Sequence, residues 1–240
     1  MGRSLLITGT DTAIGKTTVG CAIAAALRRR RRDVAVIKPV ETGCARADDG
    51  TLIAADALQL RWAAGRDSDP LEQVCLYRLA APLAPSVAAR REGVRIDVPA
   101  VVDAIRSRAS GCELLLVEGA GGLLVPLTES ATFADLARAC DAPLLVVVGN
   151  RLGAINHARL TLDWARAAGL EVTGYVVNAL RADADLAAQT NLDVLRELLG
   201  PPLGLLPFLG PLARSADDRE RLADAAEAGI DLEALLASEE

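Results

Sequence analysis

The chain has 240 residues, of which 51% are hydrophobic, 24% charged and 2% aromatic. That is long enough to bury a sizeable core, too apolar for a disordered chain, and without the run of roughly 18 apolar residues that spans a bilayer. A net charge of −6 argues against a dedicated nucleic-acid binder, while five scattered cysteines and one histidine argue against a disulfide frame or a His-rich metal site.

Residues 5–9 read as a short buried strand. The first strand-like run starts too early to leave room for a signal peptide, so a cytoplasmic protein is expected. Gly9-Thr10-Asp11-Thr12-Ala13-Ile14-Gly15-Lys16-Thr17-Thr18 follows the strand and opens a helical pattern over 17–30. A loop in that setting aims successive backbone N–H groups and a helix N-terminus into one concavity, which suits a polyphosphate. Lys16 would reach the outer phosphates, and the Thr17 hydroxyl would ligate Mg2+. Five residues, where the common form of such a loop has four, separate Gly9 from Gly15. The arginine run 28–32 ends the helix, where cations offset the macrodipole and stay solvated.

A second strand is predicted over 34–39, and Lys38-Pro39-Val40-Glu41-Thr42-Gly43 ends it. Doubly wound sheets bind ligands at such carboxyl ends. Of the 26 basic residues 24 are arginine, leaving Lys16 and Lys38. The two side chains differ in shape, hydration and hydrogen-bond geometry, so each lysine marks a candidate site that needs a compact ammonium. Thr42 offers a hydroxyl near the same crevice. The helix predicted over 51–64 carries Asp56, a candidate second carboxylate. Residues 65–93, with Pro70, Pro82 and Pro85, are the least regular part and read as a long excursion.

After a helix over 99–109, the strand 114–118 ends at Glu118. P-loop enzymes hold Mg2+ there through an acidic residue that shares the metal with the loop Thr. Gly119, Ala120 and Gly121 then let backbone approach a ligand closely. Next come a helix over 131–140, a strand over 144–149, a helix over 156–168 and a strand over 172–178. Asn178 is placed to read a base edge, although no Lys-x-Asp follows it. A helix over 183–199, a strand over 203–207 and acidic, exposed terminal helices over 217–240 complete the pattern, with Gly111, Gly169 and Gly200 where C-terminal caps would sit. Strand–helix alternation with near-continuous apolar strands predicts an α/β fold. The expectation is a doubly wound, mostly parallel sheet with helices on both faces, of P-loop NTPase type, in one catalytic domain over 1–240.

Together the segments 9–18, 37–43, 56–58, 81–85, 117–122, 149–157 and 177–178 resemble the dethiobiotin synthetases, including the five-residue gap in the phosphate loop. The resemblance implies an ATP- and Mg2+-dependent ring closure. Diaminopelargonic acid takes up CO2 as a carbamate, the carbamate is phosphorylated to a carbamic-phosphoric anhydride, and the second amine closes the cyclic urea. It further implies that Thr12, Ala13, Ile14, Gly15, Lys16, Thr17 and Thr18 hold the phosphates, and that Thr17, Asp56 and Glu118 hold magnesium. Lys38 would face the carbamate and γ-phosphate, with Lys16 and Thr12 beside it in the chemistry. Thr12 and Thr42 would contact the substrate, while Gly119–Gly121, Asn178 and the Pro207 segment border the nucleotide. Gly153, Ala154, Ile155 and Asn156 would offer N–H groups to the substrate carboxylate across a homodimer interface. Two departures stand out: Ala13 lies where some members carry Glu, and residues 182–191 contain no tyrosine to meet the substrate tail.

Two other readings share the loop. One is a related amide-forming P-loop ligase on another substrate, which only Lys38, Thr42 and 153–156 would distinguish. The other is a partner-regulated ATPase switch of the septum-positioning kind. Such switches carry a second lysine just after the first loop glycine, where this chain has Thr10.

Overall fold

Each of the six expected apolar runs is a strand, and together they form one parallel sheet. The computed structural model describes residues 2–237. In chain order it contains β1 (Arg3–Gly9), α1 (Lys16–Arg29), β2 (Val34–Ile37), β3 (Val40–Thr42), β4 (Ala45–Arg46), β5 (Leu52–Ile53), α2 (Ala55–Ala63), α3 (Leu71–Val74), β6 (Tyr77–Leu79), α4 (Pro85–Glu92) and α5 (Val98–Ala109). There follow β7 (Leu114–Gly122), α6 (Phe133–Ala139), β8 (Leu144–Asn150), α7 (Ala154–Ala167), β9 (Val172–Ala179), α8 (Leu186–Leu199), β10 (Gly204–Leu206), α9 (Ala216–Gly229) and α10 (Leu232–Leu236).

The main sheet runs β10-β9-β8-β1-β7-β2, every pair parallel. Successive strand residues alternate between two apolar cores, as the period of two requires. Leu5, Ile7, Leu114, Leu116, Leu145 and Val147 pack with α1, α2, α9 and α10. Leu6, Leu115, Val117, Leu144, Val146 and Val148 pack with α5 to α8 on the other side. Both faces are therefore buried, which explains why these strands read as continuous apolar runs rather than alternating ones. The edge strand β2 leaves a row of carbonyls without a strand partner. Arg66 Nε donates to the Val34 carbonyl at 3.2 Å and Arg108 Nε to that of Val36 at 2.8 Å. Two guanidinium groups thus block pairing with another chain.

Several expectations are corrected. Residues 51–54 are not helical, because Leu52 and Ile53 pair with Ala45 and Arg46 in a small hairpin. The excursion 65–93 contains α3, α4 and β6, and β6 pairs in parallel with β3, so Pro82 and Pro85 lie between and at the start of elements rather than in a loop without structure. Strand β7 runs four residues past Glu118, with Gly122 beside Gly9. Gly169 has the left-handed conformation of a helix stop (φ 70°) and Gly200 is itself the cap of α8, but Gly111 follows the cap Ser110 without a positive φ. Among the described residues no helix is long and apolar enough to cross a membrane, and all five cysteines are free.

The acidic C-terminal region is not simply exposed; residues 238–240 lie outside the described residues. Leu222, Ala223, Ala226, Leu232 and Leu235 are buried against α1 and the sheet. The arginine run faces the acidic side of α9 and α10 rather than solvent alone. Arg29 donates to Asp224 at 2.6 Å, Glu227 at 2.6 Å and Glu220 at 3.3 Å, and Arg30 to Glu233 at 2.9 Å. These pairs are mostly exposed, and exposed pairs contribute only about 0–1 kcal/mol each. Apolar burial dominates the docking. Leu222→Ala is expected to cost about 2–5 kcal/mol in urea denaturation. Arg29→Ala should cost about 1 kcal/mol or less, and that loss should vanish in 1 M salt. A larger effect from Arg29→Ala than from Leu222→Ala would reverse this ranking.

Candidate active site

Strand β1 ends at Gly9, and its N–H and C=O ladders with β7 and β8 fix where the following loop begins. The loop turns back over the sheet and enters α1 through Gly15, which has φ 87°. A Cβ at Gly15 would meet the carboxamide of Asn178, so a side chain is barred by both conformation and space. Ala13 also adopts a positive φ, 56°, a conformation that L-residues other than Asn and Asp rarely take. Asp11 closes the turn: its carboxylate accepts from the Thr12 N–H at 2.7 Å and its carbonyl from Lys16 Nζ at 3.1 Å.

The loop flanks a cavity of about 410 Å3. Thr12 to Thr18, Lys38, Thr42, Asp56, Gln59, Glu118, Ala120 and Gly121 line it. It therefore gathers, from four separate parts of the chain, most of the residues singled out in the sequence. Gln59, one turn beyond Asp56 on α2, was not singled out; its amide-bearing side chain gives no signal in the sequence.

Glu118 is 1% exposed, at the point where β7 leaves the apolar core. Its Oε1 accepts from Thr17 Oγ1 at 2.9 Å and from Lys38 Nζ at 2.6 Å. Lys38 Nζ also donates to Asp56 Oδ2 at 2.6 Å, so one ammonium bridges two carboxylates. Burial alone would depress the Lys38 pKa, but the Glu118 and Asp56 charges outweigh it and hold the group charged well above the ordinary lysine range. Lys16 shifts the other way. Burial pushes its pKa down, and Lys38 adds to that, against the opposing pull of Glu118, Asp56 and Asp11.

Glu118 Oε2 is buried and without a hydrogen-bond partner. A buried carboxylate oxygen with no donor is costly unless something positive meets it. With the Thr17 hydroxyl and Asp56 alongside, the donor set is hard oxygen throughout, which fits Mg2+ completed by phosphate oxygens and water.

The other expected contacts divide. Asn178 is buried, and its Nδ2 donates to the Ile14 carbonyl at 2.9 Å. One of its two amide hydrogens thus holds the loop in place. Gly119 packs under Phe133, one residue short of the cavity lining. Pro207 is exposed just past β10, whose Leu206 lies beside Asn178. Gly153 to Asn156 start α7, with Gly153 at φ 92°, but do not line the 410 Å3 cavity within one chain. A second cavity of about 440 Å3 lies on the far side of the loop, where Gly9–Thr12 and 122–126 face Leu160, Thr161 and Trp164 of α7.

Three contacts escaped the sequence. Arg151 forms an ion pair with Asp11 and so ties the loop to the 149–157 segment. Asn191, buried on α8, donates to Asn150 Oδ1 at 3.0 Å and to the Arg151 carbonyl at 2.9 Å. Nothing in the spacing of these residues announces such pairs, which join positions 40 or more apart.

Similarity to known proteins shows the family of this chain. The AAA domain family matches residues 3–216. An ATP-dependent dethiobiotin synthetase of Anaeromyxobacter sp. (strain Fw109-5) is 44% identical over 223 residues, covering 92% of this chain and 97% of the relative. Its counterpart in Saccharopolyspora erythraea is 43% identical over 228 residues, covering 94% of each. The chain belongs to the ATP-dependent dethiobiotin synthetase family. Among solved structures, the MinC:MinD cell division complex of Aquifex aeolicus matches with a TM-score of 0.58 at 16% identity, covering 100% of this chain and 97% of that one. A ParA family ATPase of Chlorobium tepidum matches with a TM-score of 0.51 at 15% identity, covering 97% and 92%. At such identities these likenesses establish a shared P-loop fold and nothing more. The loop, Lys38 and Glu118 line one cavity of this chain.

Proposed function

We propose that the chain, acting as one catalytic domain, makes dethiobiotin from 7,8-diaminopelargonic acid, CO2 and ATP. The observation that carries the reading is the placement of Lys38. Its ammonium comes from the residue just past β2, whereas the loop lysine opens α1, yet it shares a cavity with the loop, Asp56, Glu118 and the Thr42 hydroxyl. A phosphate-binding loop alone serves any P-loop ATPase. A second buried ammonium just past β2, in a cavity that also holds the Thr42 hydroxyl, suits a site that holds two anions at once.

In this reading one amine of the diamine adds to CO2, giving a carbamate and a proton. A carbamate oxygen attacks the γ-phosphorus as the bond to the bridging oxygen breaks, releasing ADP. The remaining amine then attacks the carbonyl carbon of the carbamic-phosphoric anhydride, phosphate leaves, and the ring closes. Phosphoryl transfer asks chiefly for positioning and charge neutralisation. Backbone N–H groups of 12–17 hold the phosphates, Lys16 meets their outer oxygens, and Lys38, kept charged by its carboxylates, meets the carbamate as a fixed cation rather than as a base. Thr12 and Thr42 orient the substrate. Thr17, Asp56 and Glu118 would hold magnesium, which supplies neutralisation of charge on the phosphate oxygens when bound. The deciding assay incubates the protein with the diamine, bicarbonate, Mg2+ and ATP and looks for dethiobiotin. Phosphate release that needs no diamine would point to an ATPase switch instead, and ATP use without dethiobiotin to another ligase.

A homodimer completes the proposal. Leu152 (84% exposed), Leu160 (63%) and Trp164 form an apolar surface on and before α7, next to the 153–156 segment assigned to the substrate carboxylate. Wild-type protein is expected to sediment as a dimer at micromolar concentration. Leu160→Asp, which puts a charge in that surface, should shift it to monomer and lower activity. A fully active wild-type monomer would exclude a shared site.

A further inference from the structure

Glu41 is a buried acid, 5% exposed, that the proposed chemistry does not use. It sits on β3, three residues after Lys38, and its side chain faces the start of α2. One oxygen accepts from the Asp56 N–H at 3.0 Å and the other from the Ala57 N–H at 2.9 Å. The N-cap of α2, Ala54, has no side chain that accepts a hydrogen bond, so these first-turn donors have no local partner. The usual solution is a Ser, Thr, Asp or Asn at the cap itself. Here the cap is supplied from another element, and by a full carboxylate at the positive end of the helix.

The source of the cap matters because of what else links the two elements. Lys38 lies three residues before Glu41, just ahead of β3, and one of the two residues whose N–H Glu41 holds is Asp56, whose carboxylate meets Lys38 Nζ at 2.6 Å. Backbone 38–41, the Glu41 side chain, the Asp56 backbone and the Asp56–Lys38 pair thus form a closed ring of contacts. Asp56 itself is poorly confined: its side chain is 44% exposed, and it lies in the first turn of a helix with no cap of its own. A local cap would satisfy α2 but leave it free to shift against the strand. A cap from β3 sets the helix at a fixed distance from Lys38 and Glu118.

We infer that Glu41 is a positioning residue that holds the N-terminus of α2 against β3 and so places the Asp56 carboxylate for the metal. The inference rests on the proposed role of Asp56 as a magnesium ligand, and not on the identity of the substrate. Glu41 touches neither nucleotide nor substrate in this scheme; it acts through Asp56.

The test measures Mn2+ binding to the protein–ADP complex by electron paramagnetic resonance, in wild type, Glu41→Ala, Asp56→Asn and the double variant, with ADP affinity in EDTA as the control. Glu41→Ala is expected to weaken Mn2+ binding at least about tenfold, the range seen when a group that orients a metal ligand is lost, while metal-free ADP affinity stays within about twofold. Because Glu41 acts through Asp56, the double variant should bind Mn2+ within about twofold of Asp56→Asn alone. Amide exchange at Asp56 and Ala57 should quicken in metal-free Glu41→Ala. Should that variant fail to fold, Glu41→Gln is read in its place: its one carboxamide oxygen keeps one of the two N–H bonds, and an intermediate loss with the same non-additivity is expected. Losses that multiply in the double variant, Mn2+ affinity in Glu41→Ala within twofold of wild type, or no effect of Asp56→Asn would each overturn the inference. Dethiobiotin formation is scored separately. The non-additive pattern in a protein that makes no dethiobiotin would sink the proposed reaction and leave this role standing, whereas additivity in an active enzyme would sink only this role.

Discussion

Glu118→Gln is expected to cut dethiobiotin formation at least about a hundredfold, a loss of roughly 2.7 kcal/mol of transition-state stabilisation. The substitution keeps the volume and an acceptor toward Thr17, but removes the charge from the most deeply buried acid of the cavity. The oxygen without a partner, Oε2, becomes part of a neutral amide and no longer attracts a cation. Lys38 keeps Asp56 as a counter-charge, so the fold should survive with a cost of about 1–3 kcal/mol, less than the roughly 3–5 kcal/mol of stranding a buried charge outright. Initial rates against Mg2+ concentration, beside thermal melts without metal, separate the two effects. Activity within a few fold of wild type at saturating Mg2+ would remove Glu118 from the metal site.

Lys16→Arg and Lys38→Arg should fail differently. Arginine keeps the charge but spreads it over a planar fork bulkier than an ammonium. At Lys16, 6% exposed and reaching back to the Asp11 carbonyl, the larger head has no space inside the loop and nucleotide binding itself should weaken. At Lys38 the fork can still pair with Asp56 and Glu118, so ATP should bind within a few fold of wild type. Ring closure should nevertheless slow at least about tenfold, or 1.4 kcal/mol, because contacts made chiefly in the transition state lower kcat when lost. Arginine rather than alanine is the informative change, since Lys38→Ala would leave Glu118 and Asp56 facing each other without a cation. The pH dependence divides the lysines again. The folded pKa of Lys38 lies above the ordinary 10.5, so its pairing is fully present below pH 10.5 and lost only as pH rises through that higher value. An alkaline fall in nucleotide affinity that begins below pH 10.5 belongs to Lys16, whose pKa is lowered, and should persist in Lys38→Arg. Calorimetric ATP affinity and product formation for both variants decide the matter. Near-normal ring closure by Lys38→Arg would show that only positive charge is needed there.

Much of this was written into the sequence. Six apolar runs became the six strands because a parallel sheet buried on both faces leaves little room for polar residues. The loop 9–18 declared itself because its glycines and its Lys-Thr pair have few uses besides cradling phosphate. The scarcity of lysine pointed to Lys16 and Lys38, and both line one cavity. Other features depend on which elements meet, and no local pattern encodes that. The order β10-β9-β8-β1-β7-β2 brings Glu118 beside the loop although 101 residues separate it from Thr17. The arginine run reads as a solvated helix end until α9 folds back over it, since a run of charges does not say what faces it. Asp56 looks like any helical acid, and Glu41 like any polar residue after a strand. The family resemblance alone marked Asp56 as a candidate metal ligand, and only the tertiary structure shows Glu41 as its support, because hydrogen bonds between a side chain and a distant backbone leave no periodic trace in the chain.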